Sequence, residues 1–220
     1  MPYRRNSLEE DKIYHVFTRS IDGSKIFNSK KDFSRMWNAM LFYLIDQSIR
    51  KFSYCLRVKK RLDVAEFIEK HKSKKRVEIV AYCFMPTHIH LVVKQLGKDS
   101  VSRYIGLLLQ SYSKYFNLKY NRKGPLWDGR FKNVLVETDA QFCHLTRYVH
   151  LNPVTACLID KPQDWEFSSY REYLGLVDES KRLCSFSDYL DMNKDEYKEF
   201  VNDQIMYQRE IALIKDLVLE

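Results

Sequence analysis

The residues with the clearest capacity for chemistry are two histidines, His88 and His90, in the segment 85–93, which reads MPTHIHLVV. If this segment is a β-strand, both imidazoles point to the same face, with about 6–7 Å between their Cα atoms. Two imidazoles at this spacing can reach one metal ion, although such pairs are more often packed or surface residues. The preceding run, 76–84, is also rich in strand-forming residues, and Pro86 presets a turn. We therefore predict a hairpin that carries both histidines on its second strand.

A second polar group lies about sixty residues downstream, where His144, Tyr148 and Asn152 recur at intervals of four on a predicted helix. Two imidazoles and the Asn152 carbonyl oxygen could hold a divalent cation and leave positions open for water or phosphate. Tyr148 would then face a metal-bound phosphate. Since a tyrosine phenol ordinarily titrates near pH 10, it needs a base or a nearby cation to attack as a phenolate. Two plainer interpretations stay open: Asn152 could cap a new helical turn that starts at Pro153, and Tyr148 could be a core residue.

The elements that must position these residues follow from hydrophobic periodicity and turn signals. The order strand, helix, insert, strand, strand, helix, strand, helix predicts an α+β fold with a ferredoxin-like βαββαβ sheet. The predicted elements are a strand at 13–19, a helix at 30–49, a basic helical insert at about 51–75, the histidine hairpin, a helix with Ser100 as its N-cap, a strand at 133–137, and a helix capped by Thr138 or Asp139 that ends at Asn152-Pro153. We expect one domain over residues 1–158, followed by a helical or irregular acidic extension over 159–220.

The charge of the chain is unevenly distributed. Residues 1–135 contain 28 Lys and Arg against 12 Asp and Glu, a net charge of +16, whereas residues 136–220 contain 9 against 17, a net charge of −8. A basic body with an acidic tail fits a polyanionic ligand, although a solvated surface with chance asymmetry is the plain alternative. The five cysteines are scattered and form no CxxC pair, and the longest apolar run is too short to cross a membrane. We expect a cytoplasmic protein with no membrane association.

Several of these segments together resemble a known family, the single-tyrosine HUH transposases, and within it the IS200-like, REP-associated tyrosine transposases. The resemblance covers nearly the whole chain. The matching segments are YHV at 14–16, AYCFMPTHIHL at 81–91, the glycine-containing basic segment 124–132, YVHLNPV at 148–154 and DWEFSSY at 164–170.

This resemblance implies a ferredoxin-like fold with a catalytic helix on one face, which nicks single-stranded DNA beside a hairpin. It implies that Tyr148 becomes joined to the 5′ phosphate, and that His88, His90 and Asn152 hold a Mg or Mn ion. One departure is the insert at about 51–75, which is longer than in compact relatives. The departure puts DNA contacts in that segment in doubt, but not the active site.

The expected partner is single-stranded or hairpin DNA, bound by a monomer or a homodimer. Basic side chains near the motifs would hold backbone phosphates, and Trp127 could stack on a base or could equally be a core residue. The basic residues expected to contact DNA are Arg4, Arg5, Arg122, Lys123, Arg130 and Lys132. Arg4 and Arg5 could also be part of a solvated terminus.

Two functions of other classes are alternatives. The chain could be a DNA-hairpin binding protein that derives from a transposase and no longer cleaves, although a binder would not need Tyr148, His88, His90 and Asn152 together. It could also be a structural zinc protein, which is disfavoured because no cysteine accompanies the histidines in the sequence.

Overall fold

The structure, a computed structural model, describes residues 8–45, residue 52 and residues 75–210. Arg4 and Arg5 lie outside the described residues, as does all of the predicted basic insert except Phe52 and Lys75.

The core of the fold is a four-stranded antiparallel sheet. Its strands are β1 (Ile13–Arg19), β2 (Val77–Phe84), β3 (His88–Gln95) and β4 (Lys132–Val136), and their order in the sheet is β2-β3-β1-β4. β2 and β3 form the predicted hairpin, and the other connections cross over the sheet through helices. This order confirms the α+β, ferredoxin-like prediction.

In the residues that the structure describes, three long helices accompany the sheet: α1 (Lys30–Tyr43), α2 (Ser100–Lys119) and α3 (Asp139–Thr155). Two shorter α-helices follow, α4 (Tyr170–Tyr173) and α5 (Lys194–Asn202). Single turns of 3-10 helix occupy Ile21–Gly23, Pro162–Asp164 and Glu179–Lys181. In the described residues, no helix is both long enough and apolar enough to cross a membrane.

The boundaries of the first two helices differ from the predicted ones. α1 ends at Tyr43 rather than continuing to residue 49, and the backbone beyond its C-cap pairs Ile45 with Lys75. The N-cap of α2 is Asp99, so Ser100 is its first helical residue and not its cap. Asp99 adopts a left-handed conformation, with φ of 58°, and its side chain makes no capping bond. Asp and Ser are about equally favourable N-caps, so the sequence pattern did not distinguish Asp99 from Ser100, and it placed the start of α2 one residue too late.

The third helix does not end at Asn152-Pro153 as predicted. Thr138 caps its start by accepting a bond from the Gln141 amide, but the helix then continues through Pro153 to Thr155. Pro153 lacks an N–H, which removes one helical bond, but later amides still close the last turn onto the Asn152 and Pro153 carbonyls. Asn152 is therefore inside the helix, and its interpretation as an N-cap is wrong.

A buried carboxylate ties α1 to α2. Asp32 has no exposed side-chain surface, and it accepts bonds from Lys119 Nζ at 2.6 Å and from the Tyr120 hydroxyl at 2.7 Å. Burial alone would raise the pKa of Asp32, but these bonds and those from Ser29 and Tyr115 outweigh it and lower the pKa to about 2.

The two faces of the sheet carry different helices. On one face, Tyr82 of β2, a core residue, interacts with Trp37 of α1, which packs against the core. On the other face, His15 of β1 and His90 of β3 contact Tyr148 of α3. Alternation along each strand therefore separates the core residues from the polar ones.

The C-terminal extension packs into the same core rather than standing apart from it. Its backbone follows β2, where Phe84 N donates to Phe167 O and Ser169 N donates to Tyr82 O, each at 2.9 Å. It also holds α3, because the Tyr197 hydroxyl of α5 lies 2.8 Å from His150 Nδ1. The extension thus covers the β2 edge of the sheet and fixes the helix that carries Tyr148.

Candidate active site

Five polar side chains meet where β1, β3 and α3 face each other. His88 and His90 lie side by side on β3, with ring centroids 5.0 Å apart. The ring of Tyr148 approaches His90 edge-on at 5.5 Å and His15 at 6.3 Å. Asn152, one turn after Tyr148, interacts with the imidazole of His88. The structure therefore brings together, from one chain, the four residues that the sequence singled out, and adds His15.

His15 was not among the predicted site residues. Its Nε2 lies 2.9 Å from His90 Nδ1, and both side chains are buried. A signal was present in the sequence, because His15 lies between Tyr14 and Val16, whose side chains are in the core. Alternation then directs His15 to the opposite face, and β1 neighbours β3 in a ferredoxin-like sheet. Combining these two facts would have placed the third imidazole beside the pair.

Burial makes all three imidazoles poor bases. It lowers the pKa of His15 to about 4 and lowers the pKa of His88. The pKa of His90 is lowered well below its ordinary value, first by burial and then by the neighbouring His88 and His15. The three rings are therefore neutral near pH 7, which is the form that binds a metal ion.

Each of the two histidines on β3 has its Nδ1 atom in a hydrogen bond, and Asn152 interacts with the imidazole of His88. His90 Nδ1 lies 2.9 Å from His15 Nε2, and His88 Nδ1 lies 2.9 Å from the Thr87 hydroxyl oxygen. A ligating histidine commonly has its second nitrogen held in this way, which fixes the tautomer and the ring orientation. Asn152 donates from Nδ2 to the Tyr148 carbonyl at 2.8 Å, so its oxygen is not used by that bond.

This donor set fits an open divalent-cation site with two imidazoles and one amide oxygen. Among the described residues, no group of three or more His, Cys, Asp or Glu side chains is arranged to hold a metal ion. His15 is not a third ligand in this arrangement, because its Nε2 is already directed at His90. A site with so few protein ligands keeps positions for water or for phosphate oxygens.

Cys83 is the direct neighbour of His90 across β2 and β3. Its thiol is nevertheless fully buried, lies 3.8 Å from the Met85 sulfur, and interacts with Ser168. Burial raises the pKa of this thiol, which disfavours the thiolate that zinc would need.

Tyr148 is the tyrosine best placed to react. It is 46% exposed, although its ring edge faces the histidines. The tyrosines of α2 and its end are engaged elsewhere: the Tyr112 hydroxyl donates to the Ile26 carbonyl, and those of Tyr115 and Tyr120 donate to Asp32. The interpretation of Tyr148 as a simple core residue therefore does not hold.

The predicted base-stacking residue is buried. Trp127 is 8% exposed, its indole Nε1 donates to the Leu109 carbonyl at 3.3 Å, and its ring lies 6.1 Å from that of Tyr112. Of its two predicted roles, the geometry favours the core residue, because little of the indole surface is exposed.

The basic residues predicted to bind DNA fall into two places. Arg122 and Lys123 lie in the turn after α2, where Arg122 Nη1 bonds to the Asn117 side chain at 3.3 Å. Lys132 begins β4 opposite Phe17 of β1, close to the histidines, and Arg130 precedes it in the loop. Lys132 therefore lies on the face of the sheet that carries the site. Arg122 and Lys123 instead come soon after α2, the helix on the other face.

Comparisons with known proteins relate part of this chain to a transposase family. The family model described as "Transposase IS200 like" matches residues 49–152. Over 103 residues the chain is 26% identical to a protein of Haemophilus influenzae named as a REP-associated tyrosine transposase. That alignment covers 42% of this chain and 58% of the relative, little more than half of the relative's length.

The fold has a counterpart among solved structures. A REP-associated tyrosine transposase bound to a REP hairpin superposes with a TM-score of 0.53 at 17% identity, covering 87% of this chain and 94% of the other. At this identity the likeness concerns the fold. The resemblance to IS200-like and REP-associated transposases is confirmed.

Proposed function

We propose that this chain, which resembles the IS200-like and REP-associated tyrosine transposases in sequence and fold, is a metal-dependent single-stranded DNA endonuclease and strand transferase. It cleaves beside DNA hairpins through a 5′-phosphotyrosine intermediate. One observation carries the proposal: an exposed tyrosine, two neutral imidazoles and an amide meet within one chain. These four side chains come from one chain, which supports the inference that Tyr148 attacks DNA bound to its own subunit.

The chemistry is a transesterification. The Tyr148 oxygen forms a bond to the scissile phosphorus, and the bond from phosphorus to the 3′ oxygen breaks. The tyrosine proton is lost to solvent, and the 3′ oxygen leaves with the electron pair and takes up a proton from solvent. Because the phosphodiester energy is retained in the phosphotyrosine, a 3′ hydroxyl can rejoin the strand without a nucleotide cofactor.

The His88 and His90 Nε2 atoms and the Asn152 oxygen would hold the divalent cation, Mg or Mn. When bound, the cation polarises the phosphate and offsets the charge that builds in the transition state. The contacts of His90 Nδ1 with His15 and of His88 Nδ1 with the Thr87 hydroxyl are compatible with the tautomer that leaves Nε2 open for the cation. Two imidazoles and one oxygen could also accept Zn, but oxygen-rich coordination completed by phosphate and water suits Mg or Mn better.

Charge and the fold support DNA as the substrate. The net charge of +16 in residues 1–135 fits a polyanion, and the fold is shared with a protein solved on a REP hairpin. We infer that a DNA hairpin is the binding partner, with the single strand beside it delivered to Tyr148.

The test separates cleavage from binding. His88→Ala and His90→Ala should abolish cleavage of a hairpin with a single-stranded flank, and should weaken hairpin binding little, because binding rests on phosphate contacts. EDTA should stop the wild-type reaction, and Mn should restore it. Cleavage that EDTA does not affect would reject the metal site. Hairpin binding without any cleavage by the wild-type chain would instead favour a non-catalytic DNA-hairpin binding protein.

A further inference from the structure

In the described part of the chain, the sheet face that carries the histidines has exposed side chains beside the Tyr148 site, on β4 and at the end of β1. Direct cross-strand partners project to the same side of a sheet. Val134 of β4 is the partner of His15, and Lys132 is the partner of Phe17. Val134 and Lys132 therefore share the face of the histidines, but on the β1–β4 side, whereas α3 packs against β2 and β3.

The exposed part of this face has an apolar centre. Val134 is 56% exposed, although Leu135, its neighbour on the other side of the sheet, packs against the core. The half-buried ring of Phe17 stacks on His15, with centroids 4.9 Å apart. An exposed valine beside an aromatic ring that is already fixed in place forms a flat apolar patch.

Cations border the patch. Lys132 is exposed at the start of β4. Arg19 ends β1 on the same face, opposite His88, and its side chain is 71% exposed. Arg19 Nε bonds to Asp128 at 2.9 Å, but such an exposed ion pair is weak enough to exchange for a phosphate. Sites that bind single-stranded nucleic acid combine a surface on which bases can pack with cations that bind the phosphates.

We propose that this open face, formed by Phe17, Arg19, Lys132 and Val134, binds the single-stranded DNA next to the phosphate that Tyr148 attacks. The proposal rests on the proposed function and adds where the strand lies. Val134 is about 5 Å from His15 across the strands, and the His15 and Tyr148 rings are 6.3 Å apart. A nucleotide on Val134 and Phe17 is thus close enough to be a near neighbour of the scissile phosphate.

The experiment compares two DNA probes and two matched variants. The probes are a synthetic hairpin with a single-stranded flank of mixed sequence and the same hairpin without a flank. Val134→Glu places a carboxylate on the patch, at an exposed position where the fold tolerates a polar side chain. Leu176→Glu is the control, since Leu176 is 55% exposed in the C-terminal extension. Binding of each probe is measured by fluorescence anisotropy without metal, after thermal melting has shown that both variants are folded.

We expect Val134→Glu to weaken binding of the flanked hairpin by about tenfold, the size of one lost base contact. The hairpin without a flank should bind as it does to the wild-type chain, and Leu176→Glu should change neither constant. In a second arm, Lys132→Gln should reduce the slope of log K against log salt for the flanked probe by about 0.7, the value for one phosphate contact to a single strand.

An unchanged affinity of Val134→Glu for the flanked hairpin would overturn the proposal. An equal loss for both probes would also overturn it, because the face would then bind the duplex. These outcomes are independent of the chemistry: a wild-type chain that binds the flanked probe but forms no covalent product contradicts the proposed function and leaves the binding face intact.

Discussion

The contact between His15 and His90 gives a quantitative prediction about metal binding. His90 Nδ1 lies 2.9 Å from His15 Nε2 in a buried environment. For His90 to present Nε2 to a metal ion, its proton must be on Nδ1 and must be donated to His15. His15→Phe retains a packed ring but removes the acceptor, so the metal-binding tautomer of His90 would carry a buried N–H with no partner.

A buried donor without a partner costs about 1–3 kcal/mol, or roughly 5- to 150-fold in an equilibrium constant. This range agrees with the roughly 10- to 100-fold loss of metal affinity typical when the outer partner of a ligating histidine is removed. We therefore expect His15→Phe to raise the Mn dissociation constant by about 10- to 100-fold. His15→Gln, whose side-chain oxygen can accept the same bond, should recover most of the affinity.

Mn binding is measured without DNA, by electron paramagnetic resonance of the free ion or by calorimetry, and cleavage is then followed across a Mn titration. The His15→Phe titration should shift to higher Mn and approach wild-type cleavage at saturation. His144→Phe is the matched control, because His144 lies on α3 but its ring faces Phe200 and bonds to Arg147. An unchanged Mn constant in His15→Phe, or an equal loss in His15→Gln, would refute the role of this hydrogen bond.

Three further predictions concern Asp32, Asn152 and the charge of the chain. The pKa of Asp32 is about 2 in the folded protein against an ordinary 3.8, so its stabilising contribution is complete above about pH 4 and is lost as the pH falls toward 2. That contribution to the free energy of unfolding is about 2 kcal/mol. In chemical denaturation, the unfolding free energy of Asp32→Asn should therefore fall less at acid pH than that of the wild-type chain. An equal fall in both proteins would contradict the prediction. If the Asn152 oxygen is a ligand, Asn152→Asp should retain Mn binding and partial cleavage while Asn152→Ser loses cleavage, and full activity of the Ser variant at low Mn would reject the ligand role. Affinity for hairpin DNA should fall steeply between about 50 and 200 mM salt, and an affinity indifferent to salt would mean that the +16 of residues 1–135 is not a DNA-binding surface.

The position of the site residues could be predicted from the sequence because local periodicity determines it. Alternation along a strand puts His88 and His90 on one face, and the helical repeat puts Tyr148 and Asn152 one turn apart. The order of strands and helices then brings the two groups together in a ferredoxin-like sheet. No knowledge of distant contacts is required beyond that topology.

Contacts between segments distant in sequence account for what was missed. His15 joins the site only through the pairing of β1 with β3, seventy-five residues away from His90. Trp127 could be predicted as either a base-stacking or a core residue, because its bond to the Leu109 carbonyl is a tertiary contact. The end of α3 was misplaced because the sequence shows that Pro153 lacks an N–H, but not that later amides complete the last turn.

The central claim is that Tyr148 is the nucleophile, and one measurement tests it most directly. The chain is incubated with Mn and a labelled hairpin that carries a single-stranded flank, and a denaturing gel detects covalent protein–DNA product. Tyr148→Phe removes only the reacting hydroxyl, and Tyr207→Phe serves as the control because Tyr207 is also exposed. We expect the wild-type chain and Tyr207→Phe to form the adduct, and Tyr148→Phe to bind the hairpin normally without forming it. An adduct of wild-type yield in Tyr148→Phe would contradict the account.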